Sequence, residues 1–269
     1  MNLHEQDITS NDVTLHVYRT RSDKPPLIFA HGRSDNGLCY WPIAAEFAAD
    51  YEIILYDARD HGLSTKLAAP TKLLDRAHDL AGLVEALGLV KPTLVGHSLG
   101  AVTVSLLAGL YPDLPGRIVL EDPPPFALMA ADSEQARSRH QGWEQWIGAI
   151  KGKSQAELVE MNRQDSPDWP EAERAPWAQS KLQYAVKPFG DDRIDPAEGE
   201  EIIARISCPT LLVTADLDRG AIYPPDLADK WVAGLPNARH VNIAGAGHNI
   251  RREQPAAFLA AVRAFLADC

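Results

Sequence analysis

The chain of 269 residues is short of cysteine, of basic residues and of long apolar runs. Its three cysteines, Cys39, Cys208 and Cys269, are odd in number, far apart and unlike any metal-ligand spacing. That argues against a disulfide framework and a structural metal, and it leaves reduced thiols as in a cytoplasmic protein. Lys and Arg number 26 against 37 Asp and Glu, and the net charge of −11 disfavours nucleic acid or an anionic membrane as partner. No apolar run approaches a membrane span, and residues 1–7 lack the basic and apolar regions of a signal peptide. Internal repeats and low-complexity tracts are missing too. A cytoplasmic protein without metal or cofactor, monomer or homodimer, is therefore expected. What remains is an ordinary globular composition, 45% hydrophobic and 23% charged, in a chain long enough for a sizeable core.

Strand and helix patterns alternate along it. Val13-Thr14-Leu15-His16-Val17-Tyr18 alternates as a half-exposed strand does, after a turn at Asn11-Asp12. Leu27-Ile28-Phe29-Ala30 and Ile53-Ile54-Leu55-Tyr56 are continuous apolar runs, suited to strands buried on both faces, with a helix expected over 41–49 between them. Ala77, Leu80, Ala81, Val84 and Leu87 share one helical face, and Gly88 supplies a stop. Another buried strand is expected at Arg117-Ile118-Val119-Leu120. The rhythm predicts an α/β fold, a mainly parallel sheet with helices on both faces.

At Glu121-Asp122-Pro123-Pro124-Pro125 the rhythm breaks, and it resumes only at Cys208-Pro209-Thr210-Leu211-Leu212-Val213, roughly eighty residues later. The interval holds Trp143, Trp146, Trp169 and Trp177 and helix-like pieces at 133–151 and 154–163. So long a segment is expected to be an inserted helical subdomain. Its tryptophans either hold the insertion to the sheet or, for Trp143 and Trp146, line a substrate pocket. A helix near 226–233, a strand at 238–243, the loop Ala244-Gly245-Ala246-Gly247-His248 and a last helix at about 253–266 complete the chain.

The chemistry starts at Thr93-Leu94-Val95-Gly96-His97-Ser98-Leu99-Gly100, followed by the apolar run 101–110. Gly-x-Ser-x-Gly between a buried strand and a helix places Ser98 at the apex of a tight turn, where side chains at Gly96 and Gly100 would collide. Serine is a poor nucleophile unless a base takes its proton. Histidine suits that task, and a carboxylate must orient it. Strand runs end near His31, Ser98, Asp122, Asp218 and His248, and active sites of such sheets form at those ends. Ser98, Asp218 and His248 supply nucleophile, acid and base.

The sequence here resembles the α/β-hydrolase family across almost its whole length. The matching motifs are His31-Gly32, Asp57-x-Arg59-x-His61-Gly62-x-Ser64, Gly96-His97-Ser98-Leu99-Gly100, Asp218 and Gly247-His248. The resemblance implies an eight-stranded, mostly parallel sheet with a helical cap inserted after the sixth strand. Core boundaries of 1–122 and 206–269 and a cap of 123–205 follow from it. Asp60 departs from the family, which often has glycine there. The family's Gly-x-x-Asp pattern aligns with Ala215-Asp216-Leu217-Asp218 and favours Asp218 as the acid, with Asp216 and Asp122 as alternatives. The oxyanion hole is expected from the backbone N–H groups of Leu99 and Arg33. His31 and His97 are read as braces. Arg33, where the family often has an apolar residue, either pairs with Asp35 or faces solvent, or else offers a cation to a substrate carboxylate.

The leading expectation is a serine hydrolase of small to medium, largely apolar carboxylic esters or lactones. The same triad also serves C–C or amide cleavage and peracid formation, which lid and pocket decide. A non-catalytic receptor is disfavoured by the complete triad.

Overall fold

Strands with continuous apolar runs lie at the centre of the sheet, and the alternating and polar ones lie towards its edges. The computed structural model describes residues 3–186 and 192–268. Its strands are β1 (His4–Ser10), β2 (Val13–Arg19), β3 (Pro26–Ala30), β4 (Glu52–Tyr56), β5 (Thr93–His97), β6 (Arg117–Glu121), β7 (Thr210–Ala215) and β8 (Ala238–Ile243). They form one eight-stranded sheet in the order β1-β2-β4-β3-β5-β6-β7-β8. The β1–β2 and β2–β4 pairings are antiparallel and all others parallel. The expected α/β hydrolase architecture is therefore present. Strand β1 was not expected from its polar sequence. Asn11 and Asp12, with φ of 47° and 61°, turn the chain so that β1 pairs with β2 along its whole length.

The helices are α1 (Trp41–Ala44), α2 (Leu73–Ala86), α3 (Leu99–Leu110), α4 (Phe126–Ala130), α5 (Glu134–Ile150), α6 (Gln155–Asp165), α7 (Glu171–Gln183), α8 (Pro196–Ile203), α9 (Pro225–Ala233), α10 (Ile250–Glu253) and α11 (Pro255–Ala267). The helix expected over 41–49 is instead α1 flanked by 3-10 turns at Gly37–Tyr40 and Ala45–Phe47. Tyr40, Ile43, Ala44, Phe47 and Ala48 still bury a helical face, with the tighter turns at either end. The expected last helix is α11, opened by Pro255, whose missing N–H is no loss at a helix start, and the single turn α10 precedes it.

Successive residues of a buried strand face opposite sides. Ile28, Ile54, Leu94, Ile118 and Leu212 pack under α2, α3 and α9, whereas Phe29, Leu55, Val95, Val119 and Val213 pack under α1 and α11. Between β6 and β7, α4 and α8 join the first of these cores through Phe126, Ile202 and Ile203. Helices α5 to α7 build a small core of their own from Ile147, Ile150, Leu158, Trp177, Ala178 and Tyr184. Among the described residues no helix is long and apolar enough to cross a membrane.

Gly109 lets α3 approach α8, because a Cβ there would collide with the backbone carbonyl of Ile202. Gly142, in the exposed middle of α5, has nothing within 4 Å of its would-be Cβ. Gly109→Val is expected to cost about 2 kcal/mol or more from overpacking. Gly142→Ala is expected to gain roughly 0.5–1 kcal/mol from helix propensity. Urea denaturation checks both, and shifts of the same sign would contradict this packing.

Candidate active site

Ser98 lies between the end of β5 and the start of α3, with φ 53° and ψ −120°. That is left-handed backbone on a residue with a side chain, a conformation that costs free energy and that the surroundings must enforce. Its N–H donates to the Glu121 carbonyl at 2.9 Å. A Cβ at Gly96 would stand 2.5 Å from the Gly100 oxygen and 2.6 Å from the Ala101 nitrogen, and one at Gly100 would strike the Ala30 carbonyl. The turn thus demands both glycines and leaves the hydroxyl raised.

His248 Nε2 lies 3.0 Å from Ser98 Oγ, and its Nδ1 lies 2.7 Å from Asp122 Oδ2. Asp122 is fully buried and also accepts from the Ile222 and Tyr223 N–H groups at 2.8 and 2.9 Å. The acid beside His248 is therefore Asp122 and not Asp218. Asp218 is exposed on a 3-10 turn (Leu217–Arg219), and among the described residues no hydrogen bond joins it to His248. The reason is register. His97 of β5 pairs with Glu121 of β6, so Ser98 and Asp122 leave adjacent strands at the same level, each in left-handed backbone. Asp216, the other alternative, accepts from Gly245 N–H at 2.7 Å, and Glu253 accepts from Gly247 N–H at 2.6 Å. These two carboxylates clamp the His248 loop from both sides, a role no sequence signal disclosed.

His31 and His97 brace the site. His31 Nδ1–H donates to the Gly32 carbonyl at 2.9 Å, which leaves Nε2 to accept from Ala58 N–H at 3.0 Å. His97 Nε2–H donates to the His248 carbonyl at 2.8 Å, and its ring stacks 4.7 Å from that of His248. Within the motif that follows β4, Asp57 accepts from the Gly37 and Leu63 N–H groups, both at 2.7 Å. Asp60 has φ 71°, the conformation that explains glycine in relatives. Aspartate tolerates it, and the Asp60 carboxylate accepts from Leu67 N–H at 2.8 Å and the Thr71 hydroxyl at 2.9 Å.

Asp35 is the electrostatic hub. It takes Lys181 Nζ at 2.8 Å, Arg252 Nη2 at 3.0 Å and Arg251 Nη2 at 3.3 Å. Burial pushes its carboxyl up, but Arg252, Lys181 and Arg251 outweigh this and hold it well below the usual range. Arg251 continues to Glu121 and Arg252 to Glu173. Arg33 does not pair with Asp35, whose oxygens are taken. It lies 3.3 Å from Asp192, and it stands near Tyr184, whose pKa burial lifts to about 12 against the opposing charge of Arg33.

Above Ser98 is a cavity of about 460 Å³ lined by Arg33, Leu99, His248, Lys181, Arg252 and the tryptophans 143, 146, 169 and 177, among others. Trp143 and Trp146 thus line the same cavity as Ser98, as do Arg33 and Leu99. Leu99 opens α3, so its N–H has no acceptor within the helix. The insertion is joined to the sheet domain by Lys181 with Asp35, Glu173 with Arg252, Gln183 with Asn36 (2.8 Å) and the Trp169 ring under the Arg252 guanidinium.

Comparison with known proteins is consistent with this architecture. The family model described as the alpha/beta hydrolase fold matches residues 25–251. The chain is 36% identical to a 2-(acetamidomethylene)succinate hydrolase of Mesorhizobium japonicum over 126 residues, 46% of this chain and 45% of that protein, so the match spans less than half of either. It is 25% identical over 267 residues to an esterase of Escherichia coli, covering 93% of this chain and 96% of that one. Its fold resembles that of an N-formylmaleamic acid deformylase from Pseudomonas putida, with TM-score 0.76 and 21% identity over 96% of this chain and all (100%) of the other.

Burial holds His31, His61 and His97 below the ordinary histidine value, His61 and His97 well below it. Below about pH 6.5 the unfolded chain takes up protons that these folded sites refuse, so stability falls as pH falls, by up to about 1.4 kcal/mol per pH unit for each. His61 is buried, and among the described residues its Nε2 has no hydrogen-bond partner. Urea unfolding of wild type and His61→Asn between pH 7.5 and 5.5 tests this. The variant is expected to show the shallower acid loss, and equal slopes would contradict it.

Proposed function

Because the chain belongs to the alpha/beta hydrolase fold family, we propose that it is a serine hydrolase of carboxylic esters that works through an acyl-enzyme on Ser98. The observation carrying this reading is the hydrogen-bonded line from Ser98 Oγ through His248 to Asp122, with spans of 3.0 and 2.7 Å, at the wall of the cavity. Ser98 Oγ attacks the ester carbonyl carbon while its proton passes to His248 Nε2. Asp122 holds Nδ1–H, fixing the tautomer and stabilising the imidazolium. The backbone N–H groups of Leu99 and Arg33 receive the oxyanion, each worth about 3 kcal/mol of barrier. Collapse expels the alkoxide, which takes the proton from His248. Water, deprotonated by the same nitrogen, then releases the acid and restores Ser98.

Helices α5 to α7 act as the cap, and Trp143 and Trp146 offer apolar walls to a small or medium acyl group. A second reading keeps this machinery and cleaves an amide. It is favoured by the relatives named for an acetamidomethylene-succinate and a formylmaleamic acid.

A fluorophosphonate probe is expected to label Ser98, as located by peptide mass spectrometry, and to leave Ser98→Ala unlabelled. An unmodified Ser98 in the wild type would contradict the proposal. Turnover of p-nitrophenyl esters beside the matched p-nitroanilides separates the two bond classes. The ester reading expects the esters to be hydrolysed and the anilides to be spared at matched concentration.

A further inference from the structure

We propose that the Arg33 guanidinium is a binding site for a carboxylate of the substrate. The preferred acyl group then carries a free acid, as in the half-ester of a dicarboxylic acid. The inference rests on the ester-hydrolase reading above and adds the substrate class to it.

The chain as a whole carries net charge −11. Around the cavity the sign reverses: Arg33, Lys181 and Arg252 line it with Asp35 as the one anion among the described lining residues. The three cations differ in what they have left to give. Lys181 has three N–H donors, and they go to the Ser34 carbonyl, Asp35 and the Ser180 hydroxyl at 2.9, 2.8 and 3.3 Å. Arg252 gives Nε to Glu173, Nη1 to Asn249 and Nη2 to Asp35, and its guanidinium lies 4.6 Å over Trp169. Both are 2–4% exposed and serve to hold the cap.

Arg33 is different. Its side chain is 31% exposed and meets Asp192 through Nη2 at 3.3 Å. Asp192 is gripped more closely by the buried Arg76, through Nε at 2.5 Å and Nη2 at 3.2 Å. Arg33 also stands near Tyr184, where its positive charge opposes the upward push of burial on the phenol. Of five N–H donors on a guanidinium, these contacts leave enough for a bidentate carboxylate, the geometry an arginine fork fits best. Tyr184 stacks edge-on against Trp143 at 5.3 Å, so the fork is held beside the apolar wall. The main chain of the same residue is the proposed oxyanion donor. A ligand that places its carbonyl oxygen on Arg33 N–H therefore lies in the same cavity that the Arg33 residue lines.

Two series of methyl esters test this: the half-esters of malonate, succinate, glutarate and adipate, and the neutral esters of matched length. For wild type, kcat/KM is expected to favour one half-ester over its neutral match by tenfold or more. In Arg33→Gln that ratio is expected to fall by about 10- to 100-fold, as loss of a charge-assisted contact gives, chiefly through KM, with Arg33→Lys in between. A ratio unchanged by Arg33→Gln, or a wild type that prefers the neutral esters, overturns the proposal. A binding measurement separates this from failure of the hydrolase reading itself. Ser98→Ala is expected to bind free glutarate or succinate with a change in tryptophan fluorescence, and the added Arg33→Gln to weaken binding at least tenfold. Equal affinities in the two backgrounds overturn the carboxylate site. Binding of this kind by a wild type that turns over neither ester series and takes no phosphonate would overturn the hydrolase reading and leave the site standing.

Discussion

Adjacent parallel strands that end at the same level set the geometry of this site. The pairing of His97 with Glu121 puts the next residue of each strand, Ser98 and Asp122, side by side where the sheet runs out. One imidazole then bridges both, 3.0 Å from the hydroxyl and 2.7 Å from the carboxylate. The third contribution is main chain: the loop after β7 donates Ile222 and Tyr223 N–H to Asp122. These two donors fix the orientation of the Asp122 carboxylate. Buried without these donors, the carboxylate would lose its hydration uncompensated.

A second set of constraints ties α7 and α10 to the loop after β3. Asp35 stands two residues beyond Arg33 and draws in one cation from α7 and two from α10. The strand-end loop, the cap and the segment after His248 are thereby joined by charge, in a region shielded from water. Such clusters owe their strength to completeness. Removal of one partner leaves a buried charge uncompensated, at a cost of about 3–5 kcal/mol. The stack His31–His61–Tyr184–Trp143, with ring centroids 4.8–5.3 Å apart, runs parallel to it from the sheet to the cap.

Much of this was legible in the sequence, and the failures share one cause. Apolar runs located the central strands, and Gly96 to Gly100 located the elbow, because those signals are local. The His248 loop was legible from its glycines and its place after the last strand. Asp122 was visible as a residue following a buried strand, yet its choice over Asp218 depends on which strands are neighbours and in what register. Local pattern contains neither. The partners of Asp35 lie 146 to 217 residues away in the chain, and the clamps by Asp216 and Glu253 meet only once β7, β8 and α10 are assembled. Strand β1 is held by its neighbour rather than by its own propensity, and so its polar sequence gave no sign of it.

The account turns on which carboxylate holds His248, and kcat on a p-nitrophenyl ester for Asp122→Asn beside Asp218→Asn tests it most directly. An amide at position 122 accepts poorly from Nδ1–H and favours the wrong tautomer, so kcat is expected to fall by about 10³- to 10⁴-fold. Asp218→Asn is expected to stay within about twofold of wild type, as for an exposed side chain with no part in the relay. A loss of that size in Asp218→Asn, with Asp122→Asn near normal, would contradict the account.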